Sequence, residues 1–311
     1  MSQSFFDRLP LSRYDIDRDY LTRERPDLFT ELFADPTTRV LPLLSGSALL
    51  RTPTSLALVP PAAIENYDLL VYLGRTTSAT DTEPIGTPVV AAVLSDAGHL
   101  AESDWGNLRQ LGAQLSDRDA GLFTEALGII NWHDSHRFSP RTGEPTVSAK
   151  GGWVRVDPSG KEIFPRTDAA IIVGITDADD RLLLGSNAMW ESNRYSLLAG
   201  FVEPGESLET AVMREVFEES GLRVVDPVYL GSQPWPFPAS LMLGFTAKLD
   251  ASSDGIGAPD GNEILDVRWF SRAELQAAVG EILLPGPTSI ARAIIEHWYG
   301  GEISDGARPW G

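Results

Sequence analysis

Gly200 to Leu222 reads GFVEPGESLETAVMREVFEESGL, and its spacing is decisive. Ser207 to Ser220 is predicted to be a helix. Pro204 and Gly205 turn the chain before it, the Ser207 hydroxyl is placed to cap it, and Gly221 suits the left-handed residue that ends it. Leu208, Ala211, Val212 and Val216 recur at helical spacing and form its core face. Glu215, Glu218 and Glu219 stand at i, i+3 and i+4, so their side chains share a face. Three carboxylates so placed repel one another unless a cation sits among them. Oxygen-only ligands of high charge select Mg²⁺ or Mn²⁺ over zinc. Arg214 adjoins them and can orient a carboxylate through a bidentate pair. A solvated acidic helix face is the simpler reading of a glutamate-rich run. It leaves Gly200, Glu206, Arg214 and Gly221 unexplained.

The stretch resembles the Nudix box in full, with Gly200, Glu206, Arg214, Glu215, Glu218, Glu219 and Gly221 at the required spacing. Seven such identities arise by chance on the order of 10⁻⁸ per starting position. Ser232 to Ser240 then reads SQPWPFPAS. Three prolines in nine residues exclude a helix or a central strand and predict a stiff loop presenting Trp235 and Phe237. That loop is similar to the signature of the NADH pyrophosphatase branch of the Nudix superfamily.

Apolar residues make up 42% and charged residues 22% of 311, as in ordinary soluble globular proteins, and the length favours more than one domain. No apolar run approaches a membrane span, and the N-terminus lacks the charged-then-apolar pattern of a signal peptide. There is no cysteine, hence no disulfide and no thiolate metal site. Cytoplasmic location, with no membrane partner, is the expectation. A formal charge of −19 disfavours sequence-independent binding to nucleic acid or anionic membrane. An anionic substrate must then be met by local donors and a bound cation.

Three regions are expected. Residues 1–132 form a mostly β domain closed by a helix from Ser116 to about Trp132. They contain strand-like runs at Ser55–Val59, Leu69–Leu73 and Val89–Leu94. Residues 133–167 form a turn-rich segment with hairpins near Pro140–Gly143 and Asp157–Gly160. Residues 168–311 alternate apolar strands with capped helices, so the overall class is α+β, with a mixed sheet between helices in an α/β/α sandwich. In the resembled family the middle segment is a zinc ribbon. Here Ser139 and Thr142 occupy the first pair of cysteine positions, and the second pair falls near Val156 and Ser159. Structural zinc is not expected. His133 and His136, three apart, are readable as metal ligands or, more simply, as hydrogen-bonded residues.

The resemblance implies hydrolysis of the pyrophosphate of NADH or NAD⁺, giving AMP and nicotinamide mononucleotide (the reduced form from NADH), with Mg²⁺ or Mn²⁺. Glu215 and Glu219 are the first choices for metal ligands, with Glu218 as ligand or base. To these the resemblance adds the Ala199 carbonyl and Glu263, which is equally readable as an exposed carboxylate. It implies a substrate pocket lined by Gln233, Pro234, Trp235, Pro236, Phe237, Pro238, Ala239 and Ser240. Arg109, Phe164 and Ala291 fall at further substrate contacts. Trp235 suits stacking or shaping of the loop; Arg109 is also readable as a surface cation and Phe164 as a core aromatic. The resemblance implies a homodimer. Removal of NAD caps from RNA 5′ ends uses the same bond and residues, and a catalytically silent nucleotide-binding module is the competing class. The intact carboxylates weigh against the latter.

Overall fold

The computed structural model describes residues 5–100, 103–191, 193–259 and 261–304. The outer ends of the first and third expected regions therefore lie outside the described residues. The chain divides into two compact units, one of residues 1–12, 168–234 and 240–311, the other of residues 13–167 and 235–239.

In the first unit a mixed sheet runs in the order Val224–Trp235, Ser240–Leu249, Asp168–Thr176, Leu182–Asn187, Ile264–Phe270, and the short strand Leu198–Phe201 also pairs with Asp168–Thr176. Asp168–Thr176 lies parallel to Ser240–Leu249, in register from Asp168 opposite Ser240 to Thr176 opposite Lys248, and antiparallel to Leu198–Phe201. Its alternating side chains serve two cores. Ile171, Val173 and Ile175 pack with Ala211, Val212 and Val216 of the helix Leu208–Ser220. Ile172 faces the opposite side, packing with Leu184, Ile290 and Ile294 under the helix Ile290–Tyr299. The three layers are thus helix, sheet, helix, as the alternation of elements predicts.

Strand Val224–Trp235 differs from expectation: it carries the edge of the sheet into the proline loop, and Gln233, Pro234 and Trp235 are its last residues. Prolines are tolerated there because an edge strand has one unpaired side.

The second unit holds a seven-stranded sheet, a three-stranded sheet and the helix Asp117–Ser135, capped by the Ser116 side chain. Leu122, Phe123, Leu127 and Ile130 of that helix are buried, as its periodicity indicates. The run Ser55–Val59 yields only the strand Ser55–Leu56 and a single bridge from Val59 to Val40. The three-stranded sheet places Val154–Val156 between Val147–Ala149 and Glu162–Ile163. Both predicted turns of the ribbon-like segment form, closed by hydrogen bonds from Ser139 N to Glu144 O (2.8 Å) and from Asp157 N to Lys161 O (3.0 Å). Among the described residues no helix is long and apolar enough to cross a membrane.

Candidate active site

The box helix begins where the Ser207 hydroxyl accepts the Thr210 N–H (3.2 Å) and ends at Gly221, whose φ is +67°. Those caps fix the helix, and its inner face sets the carboxylates. Val212 and Val216 are fully buried, so Glu219 is drawn down to 6% exposure while Glu218 stays exposed. Glu215 lies between these extremes, over the backbone of Gly200. A Cβ at Gly200 would stand 2.0 Å from the Glu215 carboxyl carbon, which is why a glycine opens the motif.

Arg214 organises the rest. Its guanidinium grips Glu206 through two bonds, Nη2 to Oε1 at 2.6 Å and Nε to Oε2 at 3.1 Å. It also reaches Glu218 (2.8 Å), Glu215 (2.9 Å) and the Phe201 carbonyl (2.9 Å). One side chain therefore ties the loop 201–206 to two carboxylates of the helix, using the fork geometry that lysine lacks. Glu206 is held below its ordinary pKa by the Arg214 hydrogen bond and the Glu203 N–H. Glu215 is shifted upward. Burial is the main cause, and the charges of Glu218 and Glu263 act in the same direction, together outweighing Arg214. Negative charge thus accumulates around Glu215, the condition that a divalent cation relieves.

Glu263 is exposed just before the strand Ile264–Phe270, with its carbonyl accepting the Ala188 N–H (2.8 Å). Ala199 lies opposite Ile172 in the strand next to Gly200. The available donors are all oxygens, which fits Mg²⁺ or Mn²⁺. Among the described residues no three His, Asp or Glu side chains form a ready-made metal cage. At the box, Arg214 supplies the compensating charge, holding Glu215 and Glu218.

The proline loop separates into two roles. Gln233 is fully buried. Its Oε1 accepts the Leu11 N–H (3.2 Å) and its Nε2 donates to the Thr288 carbonyl (3.0 Å), so the amide is committed to backbone partners. Trp235 and Phe237 belong to the second unit and meet edge to face at 4.9 Å. Arg109 lies over both rings, 4.1 Å from the Phe237 centroid and 5.3 Å from that of Trp235. Burial lowers the Arg109 pKa. Asn131 secures the turn by donating to the Pro236 and Pro238 carbonyls (2.9 and 3.2 Å). A cleft of about 590 Å³ in this unit is lined by Arg109, Asn131, Pro236, Phe237 and Pro238 among others.

Of the other expected contacts, Ala239 is half-buried beside the exposed Pro238, and Ser240 opens the strand that pairs with Asp168. Ala291 is 2% exposed inside the core under its helix, and Phe164 stands exposed after Glu162–Ile163. The structure thus brings Glu206, Arg214, Glu215 and Glu218 together, and separately Arg109, Trp235 and Phe237. Asn131 was not among the expected residues; no local pattern marks it, because its partners lie 105 and 107 positions away.

A helix–sheet–helix sandwich, with the arginine and carboxylates of one helix meeting the glycine, carbonyl and glutamate of the segment 200–206 that precedes it, defines a Nudix domain. Comparison with known families agrees: the NUDIX domain matches residues 165–285, the NADH pyrophosphatase-like rudimentary NUDIX domain residues 37–132, and the NADH pyrophosphatase zinc ribbon domain residues 134–159. The NAD-capped RNA hydrolase NudC of Mycobacterium bovis is 41% identical over 285 residues, covering 86% of this chain and 85% of its own length. The human NAD-capped RNA hydrolase NUDT12 is 34% identical over 200 residues, 60% of this chain and 43% of its own. A NUDIX hydrolase of known structure from Nitrosomonas europaea is similar at 21% identity and a TM-score of 0.42, over 53% of this chain and 94% of its own. The chain belongs to the NudC-type Nudix hydrolases.

Proposed function

We propose that this protein hydrolyses the pyrophosphate of NAD(H), releasing AMP and nicotinamide mononucleotide, and that the same bond in NAD-capped RNA is also a substrate. The observation that carries the reading is the box itself: Glu215, Glu218 and Glu219 on one helix, with Arg214 tying it to the loop 201–206. The 41% identity to a protein named for hydrolysis of NAD-capped RNA favours the RNA substrate alongside the free dinucleotide.

In the reaction a water oxygen bonds to one phosphorus, the bridging P–O bond breaks, and the other phosphate leaves with its nucleoside. Glu215 and Glu219, with Glu263 and the Ala199 carbonyl, are the proposed holders of Mg²⁺ or Mn²⁺. Such an ion, when bound, neutralises phosphate oxygens and lowers the pKa of water. Glu218, the most exposed of the three helix carboxylates, is the proposed proton acceptor or a further ligand. Arg214 keeps the helix and its loop in register. Trp235 and Phe237, with Arg109 over their faces, are proposed to bind the dinucleotide. The homodimer is part of the proposal, and sedimentation at assay concentration tests it.

The functional test is a turnover panel with Mg²⁺ or Mn²⁺ on NADH, NAD⁺, ADP-ribose and NAD-capped RNA. Cleavage of the NAD pyrophosphate is expected in every NAD-containing substrate. Failure to cleave any of them under conditions where ADP-ribose is hydrolysed overturns the substrate assignment.

A further inference from the structure

The segment 134–159 matches a zinc ribbon domain in sequence, yet its side chains do not fit zinc. The hydroxyls at three of the four expected ligand positions are engaged within their own turns. Ser139 Oγ accepts the Arg141 N–H (3.4 Å), Thr142 Oγ1 accepts the Glu144 N–H (3.3 Å), and Ser159 Oγ donates to Asp157 Oδ1 (2.6 Å). Neutral hydroxyls and a valine offer none of the thiolate or imidazole donors that close a structural site. Nor are the nearby histidines arranged for it. His136 Nδ1 faces Ser135 Oγ at 2.9 Å and the Trp132 carbonyl at 3.2 Å. His133 is engaged through both nitrogens, with Gly152 O and Arg155.

We propose that the ribbon is metal-independent in this protein and that Arg155 supplies the cross-link a zinc ion provides in ribbons of this kind. Arg155 stands on Val154–Val156, the central strand of the three-stranded sheet. Its Nε donates to Thr146 Oγ1 (2.6 Å), its Nη2 to the Thr146 carbonyl (2.7 Å) and its Nη1 to His133 Nδ1 (2.7 Å). Because Nδ1 accepts, the neutral ring carries its proton on Nε2 and donates it to the Gly152 carbonyl at 2.7 Å. Thr146 extends the chain of bonds, its single hydroxyl proton lying within reach of both the His136 and the Arg137 carbonyls (3.0 and 3.1 Å). The end of the helix Asp117–Ser135, the base of the first turn, the central strand and the turn at Gly152 are joined through one guanidinium. His133 and Thr146 are 3% and 6% exposed, so the bonds are shielded from water. The second turn has its own centre in Asp157, whose Oδ1 accepts from Ser159 N, Ser159 Oγ and Lys161 N at 2.9, 2.6 and 3.1 Å.

The test uses the full chain. Elemental analysis after purification is expected to find far less than one zinc per chain, and a chelator is expected to leave the melting temperature unchanged. Arg155→Met is expected to lower it by roughly 3–10 °C, the range for leaving the shielded Thr146 and His133 acceptors without their donor. Arg155→Lys is expected to recover little, because lysine cannot make the fork. If Arg155→Met does not fold, Thr146→Val removes only the hydroxyl and is expected to lower the melting temperature by roughly 2–6 °C. A tightly held zinc whose removal lowers the melting temperature overturns the proposal. So does a melting temperature left unmoved by the Arg155 variants, or by Thr146→Val where that variant is the one that folds.

Discussion

Gly200→Ala isolates the carboxylate whose place the fold dictates most tightly. A Cβ at this position would stand 2.0 Å from the Glu215 Cδ and 2.1 and 2.3 Å from its oxygens. Ordinary contact begins near 3.5 Å, so the carboxylate must retreat by about 1.5 Å. The backbone does not resist, since Gly200 lacks the positive φ that penalises a side chain. The stability effect is small: the clash falls on the end of a flexible side chain, and alanine gains about 0.4–1 kcal/mol over glycine through the unfolded chain. Catalysis is more sensitive, because a displacement of about 1 Å in a reacting constellation costs on the order of 10²-fold in rate, or about 2.7 kcal/mol. The expected outcome is a kcat on NADH reduced about a hundredfold at saturating Mg²⁺ or Mn²⁺, with a melting temperature within a few degrees of the parent. Circular dichroism melting and steady-state kinetics on one preparation decide it. Unchanged kcat in the folded variant refutes the placement of Glu215 in the reaction.

Two further outcomes are expected. Glu125, with its side chain 6% exposed on the helix Asp117–Ser135, has its pKa pushed by burial from 4.5 up to about 7, against the pull of Arg18 and Arg23. Its folded pKa lies above the unfolded one, so ionisation costs stability. The cost is absent below about pH 4, grows between pH 4.5 and 7, and reaches roughly 3 kcal/mol above pH 7. Glu125→Gln should therefore stabilise the protein at pH 8 and leave it unchanged at pH 4, as denaturant titrations at both pH values will show; equal effects at both contradict it. Trp235→Ala should lower kcat/KM for NADH by about five- to 150-fold, the equivalent of roughly 1–3 kcal/mol of stacking, and by less for ADP-ribose. Paired kinetics showing equal losses would make the loop a general shaper of the site.

Local periodicity made the box helix legible. Leu208, Val212 and Val216 recur at its spacing, and Ser207 and Gly221 mark its ends. The apolar run from Ala169 to Ile175 likewise marked a strand, which the structure buries on both sides. Partnerships over long separations were not legible. The family resemblance implies Gln233 as a pocket residue, and its amide meets Thr288 and Leu11, 55 and 222 positions away. Burial of a polar group demands internal partners, and no local pattern names them. Arg214 was expected to orient a carboxylate, but its grip on Glu206 depends on how the loop folds back onto the helix. The zinc ribbon could be read as lacking thiolates, whereas its replacement by Arg155 and His133 emerges only when strand and helix are packed.

The most direct test of metal-dependent pyrophosphate hydrolysis by the box carboxylates is the rate of AMP release from NADH by Glu219→Gln beside the parent, at saturating Mg²⁺ or Mn²⁺. The substitution removes one charge at nearly constant shape from a side chain 6% exposed on the inner flank of the helix. A fall of about 10²-fold or more with the fold intact is expected. Near-parental release of AMP would contradict the assignment of the site.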